Sequence, residues 1–176
     1  MQLVSFDPRL YQQTIVAKAL AQNTLVVLPT GMGKTGLALM MAIKRLNDYP
    51  QGKVIVLAPT RPLVHQHLKT FEEHSDIKAM TVFTGQVSPD ERAQRFLDNQ
   101  VIFSTPQGLE NDLISNRIKL DDVALLVFDE AHRAVGDYSY VFIAKRYQDQ
   151  ARHELILGLT ASPGGQAEKI QEVCQS

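Results

Sequence analysis

Apolar residues along this chain fall into two kinds of run. Short blocks rich in Val, Ile, Leu and Phe occur at Thr24–Leu28, Lys53–Ala58, Ala79–Phe83, Gln100–Ser104, Val123–Asp129 and Glu154–Thr160. They lack strict polar alternation, the pattern of strands covered on both faces in a parallel sheet. Between them the apolar positions recur at helical spacing. Pro8–Ala21 carries Leu10, Ile15, Val16, Ala19 and Leu20, and Lys34–Asp48 carries Leu37, Leu39, Met40, Met41, Ile43 and Leu46. Pro62–Ser75, Ser88–Asp98 and Pro106–Ser115 follow the same rule. Ser88-Pro89-Asp90-Glu91 reads as a helix start, with a capping Ser, Pro at the first position and acids in the first turn. Thr105-Pro106 repeats the Thr-cap, Pro-start signature, and Ala167–Cys174 begins one more helix. Strand–helix alternation of this kind predicts an α/β domain, its central sheet mostly parallel with helices on both faces.

Composition narrows the class. A length of 176 residues suits one domain with a real core. Hydrophobic residues at 44% and charged residues at 21% exclude a disordered chain. Eighteen basic against nineteen acidic residues leave a net charge of -1, so a nucleic-acid partner would have to be met by a local patch. The one cysteine, Cys174, excludes an internal disulfide and a cysteine-rich zinc site. No apolar run approaches the roughly 18–20 residues of a membrane helix, and the N-terminus lacks the pattern of a secretory leader. The expectation is a cytoplasmic protein with no membrane partner.

Candidate chemistry begins directly after the first strand, at Leu28-Pro29-Thr30-Gly31-Met32-Gly33-Lys34-Thr35. The phosphate-loop pattern asks for Gly, four residues, then Gly-Lys-Ser/Thr. Leu28 stands at the first position and the remainder fits. Gly31 and Gly33 let the backbone turn its N–H groups onto phosphates. Lys34 would reach the β- and γ-phosphates of ATP, and Thr35 would ligate Mg²⁺. A Gly-rich turn with a chance Gly-Lys-Thr is the competing reading, but the strand before and helix after are those the motif requires.

The strand Val123–Asp129 delivers Asp129 and Glu130 at its C-terminal end, where α/β sheets bind ligands. Asp129 would hold Mg²⁺, and Glu130 would orient and deprotonate an attacking water. An ordinary acidic turn is the alternative, and the phosphate loop weighs against it. His132 follows the acids. His65 and His67, two apart in a helix, point to different faces, and no metal site follows from histidine spacing.

Gly-Lys-Thr together with Asp-Glu-Ala-His resembles the superfamily 2 helicases. Arg9-Leu10-Tyr11-Gln12 is similar to their adenine-reading element, and Ala58-Pro59-Thr60-Arg61-Pro62-Leu63 to motif Ia. Thr84-Gly85 resembles the short TG element, Ser104-Thr105-Pro106-Gln107 motif Ib, and Thr160-Ala161-Ser162 motif III. Leu28 at the head of the phosphate loop, Phe83 to Val87, Glu110-Asn111-Asp112 and the run Asp129 to Tyr138 resemble one branch, the archaeal Hef and eukaryotic FANCM helicases. The resemblance implies a RecA-like P-loop NTPase domain covering residues 1–176, the first motor domain of a longer ATP-driven DNA translocase. Its second RecA-like domain and, as in archaeal Hef, a nuclease would complete the parent chain.

By position, the resemblance implies that Arg9 and Gln12 contact adenine, and that Thr30, Gly31, Met32, Gly33, Lys34 and Thr35 hold phosphates and Mg²⁺. Lys34, Asp129 and Glu130 would carry the catalysis. His132, Thr160 and Ser162 would couple nucleotide to DNA, and Arg61, Thr84, Gly85, Thr105 and Gln107 would face the nucleic-acid backbone. Small polar groups at helix starts suit phosphates, and Arg61, His65 and Lys69 recur every four residues as a basic stripe or a solvated face. Motor-domain contacts of this kind separate DNA from RNA poorly, so an RNA-handling relative is the alternative. A non-hydrolysing nucleotide-binding module has no need of Glu130. A P-loop kinase would need an Arg-rich lid, which the sequence does not offer.

Overall fold

The computed structural model describes residues 1–29, 33–131 and 138–161. Among these residues six strands and six helices alternate from α1 (Leu10–Ala19) and β1 (Thr24–Val27) through α2 (Lys34–Asp48), β2 (Lys53–Leu57), α3 (Arg61–His74) and β3 (Met80–Phe83). They continue with α4 (Pro89–Asp98), β4 (Val101–Ser104), α5 (Pro106–Ile114), β5 (Val123–Asp129), α6 (Tyr138–Gln150) and β6 (Ile156–Thr160). All the strand pairings are parallel, in the order β1-β6-β5-β2-β4-β3. Among the described residues β1 and β3 form the two edges.

The strands lack polar alternation because both faces are covered. Val54, Val56, Leu125, Val127, Leu157 and Leu159 join α1, α2 and α3 in one core. Ile55, Leu57, Leu126, Phe128 and Ile156 join α4, α5 and α6 in the other. Alternate residues of β2 and β5 thus feed opposite cores, and the central strands are apolar throughout.

Local signals set the helix starts. Ser88 Oγ accepts from Glu91 N at 3.2 Å, with Pro89 in the first turn. Thr60 Oγ1 accepts from Leu63 N at 3.4 Å, so α3 starts at Arg61, one residue before the expected Pro62. Thr105 does occupy the cap position of α5, but its hydroxyl makes no capping bond. The expected cap is therefore positional only, and Pro106 at the first helical position fixes the start.

Helix α6 falls where the strand and helix patterns above predict nothing. Its signal is in the sequence: Tyr140, Ile143, Ala144 and Tyr147 are all buried, at spacings of three, four and seven. Two aromatic hydroxyls in that stripe make it read as mixed polarity. The structure satisfies both: Tyr140 donates to Asp129 O at 2.9 Å and Tyr147 to Val123 O at 2.9 Å. The helix expected at Ala167–Cys174 lies outside the described residues.

Candidate active site and nucleic-acid face

The C-terminal edge of the sheet carries both groups of candidate residues, divided by strand order. β1, β6 and β5 lead to the phosphate loop, Thr160 and Asp129–Glu130. β2, β4 and β3 lead to Arg61, Thr105–Gln107 and Thr84–Gly85.

On the nucleotide side, Gly33 caps α2 with φ of 79°. Only glycine takes this left-handed conformation without cost, and it aims the first amides of α2 outward. A Cβ on Gly33 would also meet Gln12 Nε2 at 2.5 Å. Gln12 is only 4% exposed; its Oε1 accepts from Arg9 N at 2.9 Å and its Nε2 donates to Gly33 O at 3.3 Å. Gln12 therefore holds the Gly33 end of the loop, while Arg9 stays exposed.

A cleft of about 410 Å³ brings Gly33, Lys34 and Thr35 together with Asp129 and Glu130, walled by Leu63, Gln66, His67 and Ala161. Asp129 ends β5 and is 7% exposed. Its Oδ2 lies 2.8 Å from His67 Nε2, its Oδ1 accepts from Glu130 N at 2.8 Å, and its carbonyl accepts from Tyr140. Burial pushes its carboxyl up. The His67 bond and charge, the Glu130 amide and the Lys34 cation outweigh that and hold it below the usual carboxylate range. Asp129 thus stays ionised although enclosed. Glu130 follows at φ of 52°, a left-handed conformation that costs a non-glycine residue of order 1–3 kcal/mol. Thr160 is fully buried at the end of β6, its carbonyl accepting from Leu28 N at 3.0 Å.

These donors fit ATP and Mg²⁺. Mg²⁺ is commonly held by one or two carboxylates plus substrate phosphates, and the cleft offers an ionised carboxylate, a Thr hydroxyl and a Lys. Thr30, Gly31, Met32, His132 and Ser162 lie outside the described residues.

On the other side, a Cβ on Gly85 would stand 3.5 Å from Arg61 Nη2, so the guanidinium lies over that backbone. Arg61, His65 and Lys69 are all exposed along one face of α3, and Lys69 pairs with Glu73 at 3.8 Å. Thr105 heads α5, with its hydroxyl free of capping, and Gln107 is exposed.

His67 is the site residue that spacing arguments passed over. It does point away from His65, as expected, and that direction takes it into the cleft wall. Val64, His67 and Phe71 make the buried stripe of α3, so the signal was a histidine on an apolar stripe. Its partner, 62 residues away, is visible only in the fold.

A six-stranded parallel sheet, a left-handed glycine at the head of the first crossover helix and paired acids two strands away define a RecA-like P-loop domain. The family model for DEAD/DEAH box helicases matches residues 9–170, and the chain belongs to that family. Membership implies a site for ATP. The chain is 42% identical over 174 residues to a Methanocaldococcus jannaschii protein that carries the name of an ATP-dependent RNA helicase, covering 98% of this chain and 22% of that one. It is 40% identical over 179 residues to the Drosophila melanogaster DEAD-box ATP-dependent DNA helicase Fancm, covering 96% of this chain and 12% of the relative. Among solved structures, the Pyrococcus furiosus Hef helicase domain superposes with a TM-score of 0.91 at 51% identity, over 98% of this chain and 38% of that one. The chain therefore spans less than a quarter of these two curated relatives. No helix among the described residues is long and apolar enough to cross a membrane.

Proposed function

We propose that this chain is the ATP-binding motor domain of a DNA helicase or translocase that acts on forked or branched DNA, working against a second RecA-like domain of the same protein. The observation that carries the reading is the cleft that joins Lys34 and Thr35 to Asp129 and Glu130. Lys34 directs its cation at the β- and γ-phosphates, and the amides at the head of α2 add donors along the helix dipole. Thr35 Oγ1 and the Asp129 carboxylate hold Mg²⁺, which when bound supplies positive charge against the phosphate oxygens. Glu130 takes the proton of the water that attacks the γ-phosphorus. Arg61, Thr84, Gly85, Thr105 and Gln107 face the nucleic-acid backbone, and Thr160 couples the two halves of the sheet edge.

The DNA reading draws on the Hef and Fancm similarities. The Methanocaldococcus relative, with its RNA helicase name, favours the second reading, an RNA-handling motor. ATPase rates of the full-length protein with forked DNA and with double-stranded RNA decide between them. Stimulation by forked DNA alone is expected, and stimulation by double-stranded RNA alone overturns the DNA assignment. Absence of any ATPase in the full-length protein overturns the motor reading itself.

A further inference from the structure

We propose that His67 is a positioning residue for the metal-binding carboxylate: its Nε2–H holds Asp129 in the one orientation that serves Mg²⁺. The proposal rests on the reading of Asp129 as a Mg²⁺ ligand.

The geometry is specific. His67 is 3% exposed, and its Nε2 stands 2.8 Å from Asp129 Oδ2. An ionised carboxylate only accepts, so Nε2 carries the hydrogen. Nδ1 is buried and has no hydrogen-bond partner among the described residues. An imidazole in an apolar stripe is a costly filler when one nitrogen goes unmade, since Leu would occupy the same space without that cost. The stabilising return of the ring is thus concentrated in the bond to Asp129. That bond completes a pair, because the Glu130 amide holds Oδ1. Two donors, one per oxygen, fix the plane of the carboxylate, and each oxygen keeps a lone pair for metal or metal-bound water. Donors of this kind behind a ligand typically govern metal affinity about 10–100-fold.

The test uses this chain, a fluorescent ADP analogue and MgCl₂. The readouts are the Mg²⁺ midpoint for nucleotide binding, nucleotide affinity in EDTA, and the thermal midpoint. His67→Leu is expected to raise the Mg²⁺ midpoint by about 10–100-fold, with affinity in EDTA unchanged within about twofold. His67→Gln, whose amide reaches the same point, is expected to restore most of the wild-type midpoint, and the shorter His67→Asn is not. An unchanged midpoint in His67→Leu overturns the proposal. Equal midpoints in the Gln and Asn variants also overturn it, and that comparison stands even if the Leu variant does not fold. A wild-type chain whose nucleotide binding ignores Mg²⁺ overturns the metal-site reading and this inference together.

Discussion

At Gly33 the backbone holds φ of 79°, and a Cβ would press on Gln12 Nε2. Gly33→Ala therefore meets a conformational penalty of about 1–2 kcal/mol and displaces the side chain that holds this end of the loop. A urea melt should show that loss, and nucleotide titration should show weakened binding beside it. Lys34→Ala removes the cation aimed at the phosphates and should weaken MgATP binding while leaving the melt near wild type. Equal affinities would end the phosphate-loop assignment. Glu130→Gln in the full-length protein keeps the size and shape of the side chain but cannot take a proton. Nucleotide binding should persist while turnover falls roughly 10²–10⁴-fold, and near-normal turnover would move the base elsewhere. The residues that converge in the cleft were readable because each sits at a strand or helix boundary that the apolar pattern marks. His67 was not, since its role depends on a strand end brought alongside by the β2–β5 pairing.

Between elements, α4 and α5 are joined by Arg92 and Asp112, with bonds of 2.7 and 2.9 Å; Arg92 Nη1 also donates to Val87 O at 2.6 Å. Asp112 is 1% exposed, so Arg92→Leu leaves a buried carboxylate without its counter-ion. Breaking such a pair costs about 3–5 kcal/mol, and replacing both partners by apolar residues costs less. Chemical denaturation should rank Arg92→Leu below the Arg92→Leu/Asp112→Leu double variant, and a double variant as unstable as the single would refute the account. The same bridge fixes the turn from Thr84 to Val87, and so the surface where Arg61 meets Gly85. Five of the six helices among the described residues were legible from periodicity and caps. Helix α6 was not, because Tyr140 and Tyr147 count as polar until the strand carbonyls that their hydroxyls reach are known.

For the whole molecule, strand–helix alternation disclosed a parallel sheet but not the order of its strands. That order separates the acids from the phosphate loop by one strand, β6, and leaves the candidate nucleic-acid segments on the far half. On the proposed reading, a second RecA-like domain supplies the facing wall of the nucleotide site. The chain by itself should bind nucleotide weakly and show almost no hydrolysis stimulated by forked DNA. Steady-state ATPase beside the full-length protein checks this, and comparable stimulated rates would show that one domain suffices.

Among the described residues β1 hydrogen-bonds to a neighbour on one flank only, through a register from Thr24↔Leu157 to Val27↔Thr160. The loop that would grip phosphate is thus rooted in the least enclosed strand of the half-sheet, and its tether is β6. In amide hydrogen exchange, Thr24–Val27 should open at lower free energy than the doubly flanked β5, whose acids stay fixed. A nucleotide bridging the two would raise protection in β1 far more than in β5. Occupancy of the cleft would then be read as stiffness of the sheet edge, passed first to β6, the strand that β1 pairs with.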